Sequence, residues 1–148
     1  MNRKLQTKNG FTLIEVLLAM ILVGLAIASL LAAAGSFTTT NAAGAESTTA
    51  EFLIEQIREL TTMKAYNDLP AFNGKTYSHP NGPIDSNGEV LINFAAYSQR
   101  ITVENVSDTD FTAVGDDLTS KFVRVTVKIF LNSKEISSES WIRANIGS

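Results

Sequence analysis

Between Glu15 and Glu46 the chain carries no charged residue, and Val16–Ala34 within that span reads VLLAMILVGLAIASLLAAA, 19 residues interrupted only by Gly24 and Ser29. As a helix rising about 1.5 Å per residue, such a run is about 28 Å long, close to the ~30 Å hydrocarbon core of a bilayer. It is apolar all round, which a one-sided surface helix is not. Ahead of it, Met1–Gly10 carries Arg3, Lys4 and Lys8 and no acid. By the positive-inside rule that end stays cytoplasmic, and residues from about Asn41 onward lie across the membrane.

Two generic readings account for part of this pattern. In a secretory signal peptide, Ala32-Ala33-Ala34 would be the small-residue cleavage site, but the apolar run exceeds the usual ~7–15 residues. An uncleaved single-span anchor explains the length and gives no reason for Glu15. An ionised carboxylate in hydrocarbon costs several kcal/mol unless it is paired, so an acid at this position is a functional candidate. The plainer account of Glu15 is an interfacial acid favoured by the dipole of a helix start.

The rest of the composition narrows the function by exclusion. A chain of 148 residues with 45% hydrophobic and 18% charged residues is a folded single domain rather than a disordered one. A net charge of −3 gives no basic surface for nucleic acid. Without cysteine there is no disulfide framework, thiol nucleophile or Cys-based zinc site, and the single histidine, His79, leaves no multi-His metal site and no base for a serine nucleophile. No G-x-S-x-G, phosphate-binding Gly-rich loop or H-E-x-x-H motif occurs. The expectation is a non-enzyme without a cofactor.

Residues 8–18 read Lys-Asn-Gly-Phe-Thr-Leu-Ile-Glu-Val-Leu-Leu. A basic leader ends in Gly10, Phe11 follows, an acid stands fifth after the junction, and a long apolar helix begins. This combination resembles the prepilin cleavage and methylation motif of type IV pilins and type II secretion pseudopilins. The resemblance implies that a membrane prepilin peptidase and methyltransferase cuts between Gly10 and Phe11 and N-methylates Phe11, and that Glu15 serves assembly. Cutting there creates an α-amine four residues before Glu15. In a stack of helices the amine of one subunit can meet Glu15 of its neighbour, which offsets burial of the carboxylate and fixes axial register. Losing the three leader cations takes the net charge from −3 to −6. The apolar stripe expected to pack against other subunits is Leu17, Met20, Ile21, Gly24 and Ala28, where small residues allow close helix approach.

The implied protein is a structural subunit that assembles into, or primes, a type IV pilus or type II secretion pseudopilus. Its implied partners are the processing enzyme, other pilins or pseudopilins, an inner-membrane assembly platform and the membrane itself. It would sit in the inner membrane with its N-terminus cytoplasmic and its head periplasmic. AEFLIEQIREL at 50–60, Asn67-Asp68-Leu69-Pro70 and the closing VRVTVKI and SWIRA segments resemble, more loosely, the I-type minor pseudopilins and V-type minor pilins. The alternative is an uncleaved, single-pass, membrane-anchored periplasmic binding module with no filament role.

Beyond the apolar run, Ala50, Leu53, Ile57 and Leu60 recur at helical spacing with Ile54 and Met63 alongside, so an amphipathic helix continues to about Lys64. Ser36–Ala45 is polar and Thr/Ala/Gly-rich and is expected to loosen the helix midway. No proline lies between Phe11 and Leu69, so melting would rest on Gly24, Gly35 and Gly44. Asn67–Glu89, holding all three prolines and His79, reads as irregular loop. Strands are expected at Val90–Phe94, Tyr97–Val106, Phe122–Leu131 and Glu135–Ala144, the last slipping at a bulge near Ser140. The acidic stretch 107–120, with Asp108, Asp110, Asp116 and Asp117, reads as a solvated loop. Its alternative is a calcium site, since some pseudopilins bind calcium, although the spacing is not that of an EF-hand. The expected fold is α+β and pilin-like. It comprises a leader (1–10), a membrane and assembly half of the helix (11–35), an amphipathic half (36–66), and a head (67–148) of three or four antiparallel strands.

Overall fold

The structure is a computed structural model that describes residues 10–115 and 120–145. One α-helix, α1, runs Leu13–Met63. A 3-10 helix at Tyr66–Phe72 follows, then β1 (Thr76–Tyr77), a 3-10 turn at Ile92–Phe94, β2 (Tyr97–Val106), β3 (Phe122–Leu131) and β4 (Lys134–Ala144). The strands form one antiparallel sheet in the order β1-β2-β3-β4. A long N-terminal helix packed on a small antiparallel sheet is the pilin-like α+β arrangement expected from the sequence. The chain divides into two compact units, Met1–Ala43 and Gly44–Ser148.

The expected loosening of α1 at Ser36–Ala45 does not occur, and Gly24, Gly35 and Gly44 all lie within unbroken helix. The polar side chains there turn back on the helix instead of competing with it. The hydroxyls of Ser36, Thr38 and Thr39 donate to the carbonyls of Ala32, Ala34 and Gly35, at 3.1, 3.0 and 3.3 Å. Each is thereby satisfied without breaking a backbone bond.

In the second unit, the stripe Ala50, Leu53, Ile54, Ile57 and Leu60 is buried in one cluster with Ile101 and Val103 of β2 and Val123, Val125, Val127 and Ile129 of β3. Alternation along β3 sends every second residue inward, as a strand with one solvated face requires. Gln99 of β2 and Thr61 of the helix are polar residues buried in this unit, and Gln99 links its layers. Fully buried, its side-chain oxygen accepts from the Ile84 N–H at 2.8 Å, and its amide donates to the carbonyls of Leu53 and Ile84, both at 3.0 Å. One side chain thus ties the helix, the 84 loop and the sheet.

Three expectations change in the structure. Val90–Phe94 is not a strand: Val90 makes an isolated bridge to Ile84, and Ile92–Phe94 coils into a 3-10 turn. That turn sets the Phe94 ring 5.6 Å from Phe52 on the helix and 6.3 Å from Tyr97. The loop Asn67–Glu89 contains order, including a 3-10 helix that buries Leu69 completely and the short β1. The bulge in β4 falls not near Ser140, which pairs regularly with Thr126, but between Ile129 and Phe130, where Ser137 and Glu135 are the successive partners. The extra residue, Ile136, packs against the core, so apolar burial outweighs regular pairing at that point.

β3 and β4 are joined by Asn132 and Ser133, both in left-handed backbone conformation (φ 49° and 70°). Two such residues match the mirror-image turn favoured by the twist of a tight hairpin. Asn tolerates this conformation, whereas Ser pays for its Cβ.

Three outcomes follow for a fragment spanning 44–148. Ser133→Gly is expected to stabilise it by about 0.5–1 kcal/mol, read as a raised denaturant midpoint, and Ser133→Ala is not. Gln99→Leu orphans the Ile84 N–H and carbonyl and is expected to destabilise it by about 3 kcal/mol in the same titration. Val125→Asp places an unpaired carboxylate in the core, costing several kcal/mol, and is expected to abolish the cooperative transition seen by circular dichroism.

Candidate functional site

Gly10 and Phe11 precede the first turn of α1 and are both exposed, the Phe11 side chain by 86%. Thr12 is the residue that starts the helix, its carbonyl accepting from the N–H groups of Glu15 and Val16 at 3.1 and 3.2 Å. The Thr12 hydroxyl oxygen also accepts from the Glu15 N–H at 3.3 Å. In return, Oε2 of Glu15 accepts from the Thr12 backbone N–H at 3.2 Å and from its hydroxyl at 3.3 Å. This is a reciprocal capping box, in which a Thr and a Glu three residues apart satisfy each other's orphan donors. It places the Gly10–Phe11 peptide outside the helix. The pattern Thr-x-x-Glu ahead of an apolar run is legible in the sequence and identifies Thr12, which reasoning from charge alone passes over.

Glu15 opens onto a shallow apolar groove along the helix that includes Phe11, Ala19 and Val23. Of the expected packing stripe, the groove takes in Met20 and Gly24 but not Leu17, Ile21 or Ala28. At about 100° per residue, the centre of that stripe lies about 160° around the helix from Glu15, nearly on the opposite side. The residues that share Glu15's side at spacings of three and four are Ala19, Leu22, Ala26, Ser29 and Ala33. Within the first unit the large apolar side chains of this helix are exposed, Leu17 by 52% and Met20 by 67%. By length and composition α1 is apolar enough to cross a membrane.

The head offers less. His79 is exposed, and among the described residues no three His, Asp or Glu side chains come together as a metal-binding group. In the acidic stretch, Asp108 Oδ1 accepts from the Lys121 N–H at 3.2 Å, and Asp110 Oδ1 accepts from the Thr112 N–H and hydroxyl at 2.9 and 2.6 Å. Asp116 and Asp117 lie outside the described residues. The loop folds back on the end of β2: Ser107 N–H donates to Ala113 at 3.1 Å, and Gly115 N–H donates to Asn105 at 2.9 Å. A Cβ on Gly115 would collide with the Val106 carbonyl, so glycine is needed for this close approach. On the helix side of β4, the Arg58 guanidinium lies 5.0 Å from the Trp141 ring and bridges Glu55 and Glu139. These ion pairs, mainly the hydrogen bond to Glu139, raise its pKa further.

Residues 5–31 match the family model described as the prokaryotic N-terminal methylation motif. The chain carries a prepilin-type methylation motif. The match covers the second half of the leader with Lys8, then Gly10, Phe11, Glu15 and most of the apolar run, and it supports the type IV pilin and pseudopilin family. Comparison with curated proteins and with solved structures found no match.

Two head carboxylates carry a pH signature. The Glu89 backbone N–H, then that of Asn87, hold the Asp85 carboxyl below its ordinary value, and the Thr112 hydroxyl and N–H do the same for Asp110. Both groups are depressed in the folded state. Their contribution is therefore complete above the ordinary carboxylate range and is lost as pH falls below about 4. Amide resonances of Glu89, Asn87 and Thr112 are expected to titrate below that value, ahead of global unfolding.

Proposed function

We propose that the protein is a minor pilin or pseudopilin subunit, inserted in the inner membrane by α1 with its head in the periplasm, which assembles into or primes a type IV pilus or a type II secretion pseudopilus. The observation that carries this reading is the methylation motif at residues 5–31, with its acid placed at the first turn of a helix that carries no further charge until Glu46 and is long and apolar enough to span a bilayer. The exposed Gly10–Phe11 bond, in non-helical backbone ahead of Thr12, suits a peptidase that needs extended chain. Processing there would free an α-amine at Phe11 and discharge the leader.

Assembly in this reading pairs that amine with Glu15 of a neighbouring subunit. A carboxylate and an ammonium taken out of water together are tolerable in hydrocarbon, whereas either one alone is not. In this reading α1 uses two sides in assembly. Glu15 and its small neighbours Ala19, Ala26 and Ala33 form one side, and Leu17, Ile21 and Ala28 lie across the axis, while Met20 and Gly24 also line the groove that Glu15 opens onto. Different patches meeting head to tail generate an open helical array rather than a closed dimer. The role is structural, and the chain is the substrate of a processing enzyme rather than an enzyme.

Intact-mass and N-terminal analysis of the protein recovered from membranes tests the processing step. The expected product starts at N-methylated Phe11. A product starting at Gly35 would establish a signal peptide in its place. Gly10→Val is expected to retain the leader and still insert, because the apolar run is untouched. Glu15→Ala is expected to be cut and to insert at least as well as wild type while losing filament incorporation. Wild-type cross-linking of Glu15→Ala to other pilins would refute the pairing.

A further inference from the structure

We infer that Thr12 is a positioning residue for assembly, holding one oxygen of the Glu15 carboxylate so that the other is presented to the incoming amine. This rests on the reading of Glu15 given above. Both bonds donated by Thr12, one from its backbone and one from its hydroxyl, converge on the same atom, Oε2. Among the described residues Oε1 takes no hydrogen bond, and the carboxylate lies in the groove with Phe11, Ala19 and Val23. A carboxylate accepts through both oxygens, and in an apolar setting each unfilled acceptor site raises the cost of burial. The box therefore lowers the cost of keeping Glu15 ionised before a neighbour arrives. It also removes rotamer freedom that pairing would otherwise have to freeze out. One oxygen is left for a charge-assisted bond from an ammonium. Every atom of the box lies on the C-terminal side of the Gly10–Phe11 junction, so cutting and methylation at Phe11 leave it intact.

The hydroxyl is the separable part, because the backbone N–H remains whatever side chain stands at position 12. Thr12→Val keeps the shape and removes the hydroxyl; Thr12→Ser restores it without the methyl group. Both variants, Glu15→Ala and wild type are expressed as full chains with the other subunits present. Processing is read by N-terminal mass, insertion by resistance to alkaline extraction, and assembly by the yield of cross-linked multimers. Thr12→Val is expected to be processed and inserted like wild type, with multimer yield reduced about tenfold, the ordinary weight of one hydrogen bond to a charged group. Thr12→Ser is expected to recover most of that yield, which loss of methyl packing or a general helix defect would not predict.

Wild-type assembly of Thr12→Val, with Glu15→Ala defective, overturns the inference and leaves the role of Glu15 standing. Wild-type assembly of Glu15→Ala overturns both. A Thr12→Val defect that Thr12→Ser fails to restore assigns the effect to something other than the hydroxyl and overturns the inference. So does retention of the leader in Thr12→Val, since the hydroxyl would then act before assembly.

Discussion

A carboxylate at the head of a 19-residue uncharged, apolar run of α1 is the constraint around which the first unit is organised. An apolar setting offers a carboxylate no hydrogen bonds, so there the chain has to supply them or a partner must. Thr12 supplies two, both to one oxygen. The same contacts cap the start of the helix at Leu13 and leave Gly10 and Phe11 outside it. The start of the helix, the exposure of the Gly10–Phe11 peptide and the orientation of the acid are thus consequences of one reciprocal interaction.

The second unit solves a different problem with the same helix. Once α1 carries polar residues on most of its circumference, its stability depends on covering the stripe from Ala50 to Leu60. The inward faces of β2 and β3 provide that cover with β-branched residues, Val123, Val125, Val127 and Ile129, whose stiff side chains fill a pleated surface without losing much rotamer freedom. Gln99 then registers the layers by bonding to the helix and to the 84 loop at once. A buried amide satisfied on both of its ends specifies one packing arrangement, because every shifted one leaves a polar group without a partner.

Where sequence and structure agree, periodicity is strong and local. β2 and β3 run over the residues that their alternation marks, and Ala50, Leu53, Ile54, Ile57 and Leu60 of the helix face are buried, whereas Met63, expected beside them, is exposed at the helix end. Where they part, a contact remote in sequence has overruled a local preference. Val90–Phe94 has strand-like composition, but Phe94 is drawn onto Phe52 some forty residues earlier, and the backbone turns to let it. Ser36–Ala45 looks like a helix breaker by propensity, yet its hydroxyls find carbonyls one turn back. Ile136 shifts the register of β4 because its side chain belongs in the core.

By itself the sequence determined the membrane-length helix, the charged leader, the Gly10–Phe11 junction, the placement of Glu15 and the alternating strands. Each of these is a one-dimensional property of charge, length or period. Only the tertiary structure decided that both Thr12 donors converge on a single oxygen of Glu15, and that Ser36–Ala45 stays within unbroken helix. It alone decided that Gln99 joins three elements at one point. Those outcomes depend on the orientation of individual side chains and on contacts between residues as far apart as Leu53 and Gln99, which no run of residue types encodes.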